Sequence, residues 1–149
     1  MRLVLFEPEI PQNTASMLRL CACLGVSVDI IEPCGFVFDD RKLKRVGMDY
    51  IDVVDYTLHS SWDAFKAQLS GRLVLLTTKA TTPYTSFSFE ENDCLMVGRE
   101  SSGVPEDIAR GMDHKIKIPL CSHTRSLNVA QAATLVVGEA LRQLDGFPR

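Results

Sequence analysis

No stretch of this sequence approaches the roughly 18 consecutive apolar residues that a membrane span requires. The first apolar run, Leu3 to Phe6, is followed at once by Glu7 and Glu9, which is too short for the core of a secretory leader. No membrane partner is expected, and the protein is expected in the cytoplasm. Cysteine is sparse and irregular. Cys21, Cys23, Cys34, Cys94 and Cys121 are odd in number and share no spacing, which argues against a disulfide framework. Four of the five lie in or beside apolar runs, as buried free thiols of a reducing compartment would. Cys21-x-Cys23 has no second pair, and His59, His114 and His123 are scattered, so no metal site is expected. A large excess of one charge is missing too. With a net charge of −3 the whole surface does not attract polyanions, so any nucleic-acid contact must use a local basic patch. Repeats, low-complexity tracts and linkers are absent. The 149 residues are therefore read as a single domain, 1–149.

What is present is ordinary globular material, 46% hydrophobic and 23% charged, arranged in alternation. Apolar runs predict strands over Leu3–Phe6, Val26–Ile31, Arg72–Thr77, Cys94–Val97 and Lys115–Ile118. Between them the pattern predicts helices. Glu7-Pro8-Glu9-Ile10-Pro11 reads as loop, because each proline disfavours helix at the residue before it. Asn13 or Thr14 then caps a helix to about Leu24, with Gly25 at its end and Met17, Leu18, Cys21 and Leu24 on its buried face. Asp39–Val46, Trp62–Leu69, Pro105–Met112 and Ser126–Leu144 complete the set. Several strands are apolar on both faces, which implies an α/β fold with a mostly parallel sheet flanked by helices. Ligands of such sheets bind outside the carboxyl ends of the strands. The segments after Leu76, Gly98 and Ile118 are therefore where a site is sought.

The segment "LMVGRESSGVPEDI", Leu95 to Ile108, reads as strand, glycine-bounded loop and helix. Gly98 and Gly103 have the spacing of a Walker loop, but Val104 and Pro105 stand where lysine and serine or threonine are needed. Arg99 and Glu100 break a dinucleotide fingerprint. Ser101 and Ser102 are adjacent, and neither has a glycine two residues before it, so a nucleophile elbow fails as well. Two readings of this loop stay open: a plain connection whose glycines make turns, or a ligand read by main-chain hydrogen bonds, such as an adenine ring. The last third, "KIKIPLCSHTRSLNVAQAATLVVGEAL", is strand, proline-containing loop and long helix. Ser126 and Asn128 sit at the helix start, where capping is the ordinary role. Ala130, Ala132, Ala133 and Gly138 would let that helix approach another backbone closely, within the fold or across a dimer.

Five ordered stretches together carry a family resemblance: "FEPEIPQNTASMLRLCA", "IIEPCGFVFDDRKLKRVGMDY", "LTTKAT", "MVGRESSGVP" and "IPLCSHTRSLNVAQA". Over nearly its whole length the chain resembles the SPOUT-class RNA 2′-O-methyltransferases, in particular the short TrmL-type enzymes of the tRNA wobble position. The resemblance implies a C-terminal deep trefoil knot, a homodimer, a tRNA substrate, and S-adenosylmethionine as methyl donor with S-adenosylhomocysteine as product. It implies cofactor contacts at Leu76, Gly98, Ile118 and Ser126. It implies Asn13, Arg19, Glu100, Ser126 and Asn128 as the catalytic set, with Arg19 at the reacting hydroxyl. Arg99 and Ser102 stand where this motif often has proline and arginine, and Gly138 where the last helix commonly has tyrosine. Arg41, Lys42, Lys44 and Arg45 form a dense local patch, and Arg125 adds a charge near the site; these are the expected RNA-binding residues, a solvated helix face being the ordinary alternative for the run. The reaction needs no metal. The alternatives are a knotted module that binds cofactor or RNA without catalysis, and methylation of another RNA site.

Overall fold

The structure, a computed structural model, describes residues 1–45 and 50–149; of Asp40, Lys42 and Leu43 only the backbone is described. Seven strands form one sheet: β1 (Arg2–Phe6), β2 (Ser27–Ile31), β3 (Tyr56–His59), β4 (Leu73–Leu76), β5 (Thr82–Pro83), β6 (Cys94–Val97) and β7 (His114–Lys117). Their order is β3-β2-β1-β6-β4-β7-β5, and every neighbouring pair is parallel. The helices are α1 (Pro11–Leu24), α2 (Asp40–Arg45), α3 (Trp62–Gln68), α4 (Glu106–Arg110) and α5 (Val129–Gln143).

Strand alternation divides the core into two layers. Leu3 and Leu5 of β1, with Leu95 and Val97 of β6, face α1 and α5. Val4 and Phe6, with Cys94 and Met96, face the other way toward Phe65 of α3 and Met112. The four residues Leu3 to Phe6 are at most 1% exposed, so both faces of β1 are covered, as the apolar run predicts. On the first face α5 packs against α1. Met17, Leu18 and Cys21 are buried there, while Leu24 is only partly so.

Several sequence expectations are corrected. Pro11 is the first residue of α1 rather than loop: the rule against helix before proline applies to Ile10, which is extended. Neither Asn13 nor Thr14 caps α1. The last helix begins at Val129, with Asn128 as its N-cap, not at Ser126. α4 spans Glu106–Arg110, shorter than Pro105–Met112. The helix expected over Asp39–Val46 is α2, and Val46 lies outside the described residues. β3 and β5 were not anticipated. Of the thiols, Cys21 and Cys94 are buried, Cys34 is half-buried, and Cys23 and Cys121 are exposed. A Cβ on Gly138 would meet nothing within 4 Å, so that glycine serves no close approach inside this chain.

A buried polar cluster ties β1, β2 and β3 together. Asp29, 5% exposed, takes Arg2 Nε at 2.5 Å on one oxygen and lies 2.7 Å from His59 Nε2 on the other. It joins β1, β2 and β3 side by side.

Candidate active site

The chain runs outward from β1 to β2 and β3, then returns across the sheet to β4 on the far side of β6. The reversal lies between β1 and β6, and a crevice outside their carboxyl ends follows from it. The turns leaving these two strands, residues 7–10 and 98–103, meet there.

The second turn folds back on itself. Arg99 and Gly103 exchange backbone hydrogen bonds of 3.2 and 2.9 Å as an isolated antiparallel bridge. Gly98 makes this possible: a Cβ there would sit 2.6 Å from the carbonyl carbon of Gly103. Gly103 adopts φ +67°, a conformation open chiefly to glycine. The doubled turn is then fastened to residues 7–10 by two side-chain pairs. Arg99 Nε donates to Glu7 Oε2 at 2.8 Å, with a second, closer contact through its Nη2, and its guanidinium lies over the Phe6 ring. Glu9 accepts from the backbone N–H and the hydroxyl of Ser101 at 2.9 and 2.7 Å. These bonds hold the Glu9 carboxyl below its ordinary range, the Ser101 N–H contributing most. Glu7 itself sits at φ 45°, a strained backbone for a non-glycine residue, and the Arg99 pair holds its side chain in place.

Glu100 does something different. Its two carboxylate oxygens accept from the backbone N–H groups of Glu9 at 2.8 Å and Ile10 at 3.2 Å. Ile10 is the N-cap of α1 and offers no side-chain acceptor, and the first turn of α1 holds no acid. The anion that a helix start favours therefore arrives from the turn after β6.

From Glu100 a relay leads to α5. Asn128 Oδ1 accepts from the N–H groups of Ala130 and Gln131, at 2.9 and 3.3 Å. That fixes the amide and leaves Nδ2 to donate to Asn13 Oδ1 at 2.9 Å. Asn13 is fixed in turn, and its Nδ2 points to Glu100 at 3.4 Å. Residues of both turns and of the segment 118–128, which leads from β7 to α5, thus share one set of bonds whose direction is set by the two helix ends.

Beside this relay is a cavity of about 570 Å³, within the size range of small-molecule sites. Asn13, Leu76, Gly98, Glu100, Ser126 and Asn128 all line it. Ile118 does not; it lines an adjoining groove of about 340 Å³, with Arg125, and Thr78 borders both spaces. Arg19 lines neither. It lies six residues beyond Asn13 on α1, about 9 Å along the axis and turned by about 240°. Its guanidinium rests over the ring of Tyr50, 5.0 Å from the centroid. Arg41, Lys44 and Arg45 are exposed on or at the end of α2, and Lys44 pairs with Asp52 at 2.9 Å; the side chain of Lys42 lies outside the described residues. Glu7, Glu9, Arg99 and Ser101 were not anticipated, because their pairings span 92 residues and leave no local spacing signal. Among the described residues no group of three or more His, Cys, Asp or Glu side chains could hold a metal ion.

The model of the SpoU rRNA methylase family matches residues 1–138. The chain belongs to this family. It is 54% identical over 150 residues to a Beijerinckia indica protein named tRNA (cytidine(34)-2′-O)-methyltransferase, with 99% of this chain and 94% of that one covered. An Escherichia coli K12 protein of the same name is 43% identical over 99% of this chain and 96% of its own length. Among solved structures, one described as "Structural insights into the 2-OH methylation of C/U34 on tRNA" superposes with TM-score 0.91 at 39% identity. It covers 97% of this chain and 96% of that one. The SpoU fold thus accounts for the parallel sheet and for the meeting of the two turns with the segment 118–128.

Proposed function

We propose that this SpoU-family chain transfers the methyl group of S-adenosylmethionine to the ribose 2′-hydroxyl of tRNA nucleotide 34, leaving S-adenosylhomocysteine. One observation carries the reading. The cavity at the β1–β6 reversal holds the Glu100–Asn13–Asn128 relay, in a chain 54% identical to a protein named for this reaction.

The cavity fits an adenosine. Its walls combine apolar side chains, Leu76, Val97, Leu127 and Val129, with the main chain of the doubled turn. Leu76, Gly98 and Ser126 would hold the cofactor there, with Ile118 from the adjoining groove. Bound there, S-adenosylmethionine supplies a methyl group on a sulfonium whose leaving group is a neutral thioether.

The chain's task is the weak partner, the hydroxyl. It must be aligned, lose its proton and be supported as negative charge develops on oxygen. The Glu100 carboxylate has both oxygens engaged by backbone N–H groups, so it fixes the site rather than accepting the proton. Asn13 and Asn128 present amides already oriented by the relay. Arg19, a guanidinium cation with N–H donors only, supports the developing alkoxide.

In one chain Arg19 stands away from the cavity, so we read the active unit as a homodimer in which a second copy brings Arg19 to it. Exposed Leu135 on α5 supports such a contact face. The same reading includes the trefoil knot. Residues 118–128 lead from β7 back to α5, which packs on α1 and touches β6. The exposed cations Arg41, Lys44 and Arg45, with Arg125, would meet phosphates, together with Lys42 of the same run. RNA affinity should then fall steeply as salt rises. A tRNA-modifying enzyme of this kind works in the cytoplasm.

Labelled methyl transfer to bulk tRNA, followed by mapping of the product nucleoside, tests the proposal. A 2′-O-methylated nucleotide 34 is expected. Label on a base, at another position, or nowhere would overturn it. Arg19→Ala should abolish transfer while cofactor binding persists.

A further inference from the structure

Resting on that reading of Arg19, we propose that Tyr50 is its positioning residue: the ring face holds the guanidinium at the angle the reaction needs. Arg19 is exposed on α1, and a free arginine side chain samples many rotamers, which must be given up whenever it acts. Among the described residues it has no carboxylate partner and no hydrogen bond. Its guanidinium lies over the Tyr50 ring, 5.0 Å from the guanidinium carbon to the centroid.

The choice of partner matters chemically. A carboxylate would immobilise Arg19 by occupying its N–H donors and neutralising its charge. An aromatic face attracts the cation through its quadrupole and leaves those donors, which lie at the guanidinium edge, free for ribose or phosphate oxygens. The surroundings favour this. Asp52, two residues beyond Tyr50, is engaged by Lys44 at 2.9 Å. The backbone that carries the ring is also anchored. The Tyr50 carbonyl accepts from the N–H groups of Val53 and Val54, both at 3.0 Å, and Ile51 and Val54 are buried in the core. The cation is thus steadied by a platform fixed to the same core as α1.

A series at position 50 tests this. Tyr50→Phe keeps the ring and should turn over within about twofold of wild type. Tyr50→Leu should lower kcat about 2- to 5-fold, what a cation–π contact to an exposed cation supplies, with cofactor affinity unchanged. Replacement of Tyr50 by mono-, di- and trifluorophenylalanine keeps the shape while weakening the ring quadrupole. Log kcat should fall stepwise along that series, an effect that a purely structural ring would not produce. The Arg19 Nε–H proton should show an upfield ring-current shift in wild type and Tyr50→Phe. A flat fluorination series, or an Arg19 signal at its random-coil position in wild type, overturns the proposal. Normal turnover in Arg19→Ala would instead refute the role of Arg19 itself. An inactive Arg19→Ala beside a fully active Tyr50→Leu would refute only the role of Tyr50.

Discussion

Replacing Glu100 tests whether the site is held together by a helix cap supplied from the turn after β6. Its carboxylate accepts two backbone N–H groups at the start of α1, at 2.8 and 3.2 Å, and no local side chain replaces it. A hydrogen bond to a charged group contributes about 1.5–3 kcal/mol net, and loss of a helix cap typically costs about 1 kcal/mol. Glu100 is only half-buried and water reaches part of the cap, so the low end applies. Glu100→Ala should therefore cost about 2–3 kcal/mol. Glu100→Gln keeps one acceptor oxygen but turns an amide N–H₂ toward the other donor, and should cost about 1–2 kcal/mol. Urea denaturation followed by circular dichroism reads this as a lower midpoint at unchanged slope. Transfer should fall in Glu100→Gln as well, since Asn13 Nδ2 loses its charged acceptor and the relay to Asn128 loosens. A Glu100→Ala protein within 0.5 kcal/mol of wild type, which is about the noise of such measurements, would refute the capping argument.

Three further outcomes follow from other parts of the molecule. Burial pushes the Cys21 and Cys34 thiols up to about 12 and raises Cys94, so a thiol reagent at pH 8 should modify Cys23 and Cys121 first. Bound S-adenosylmethionine should slow Cys121 alone, because that residue lines the groove beside Ile118; five equally fast thiols would contradict the packing. The Glu9 carboxyl, lowered from 4.5 by the Ser101 N–H and hydroxyl, contributes stability that is full above pH 4.5 and lost as pH falls through its lower folded value. In Ser101→Ala the Glu9 titration, followed by NMR, should move back up, and an unmoved titration would show that the clasp is not formed. Thr14 is fully buried with its hydroxyl unpartnered, so Thr14→Val should raise stability by about 1 kcal/mol, and a loss of that size would show a partner for the hydroxyl.

The two-faced strands were legible because burial on both sides demands apolar residues at every position, as Leu3 to Phe6 show. Edge strands lack that demand. β3 exposes Thr57 and Leu58, and β5 is two residues ending in Pro83, so neither stands out from a loop. The glycine-bounded turn was legible as a turn, and its role as a lid on residues 7–10 was not. Glu100, Arg99 and Ser101 act on partners about 90 residues away, and spacing along the chain carries no trace of that. The start of α1 was misread for the same reason: its cap is not in its own segment. Asn128 was recognised as polar at a helix start. The two-position step from Ser126 to Asn128 decides which of them caps and which is left lining the cavity.

The most direct test is a calorimetric titration with S-adenosylmethionine, paired with a crystal of the complex. Wild type should bind it saturably, with the adenosine between residues 76–78, 98–103 and 118–128. Gly98→Ala should lose binding at least tenfold, because its Cβ would lie 2.6 Å from the Gly103 carbonyl carbon and force the doubled turn open. No heat with wild type, or density for the compound anywhere else on the molecule, would contradict the account.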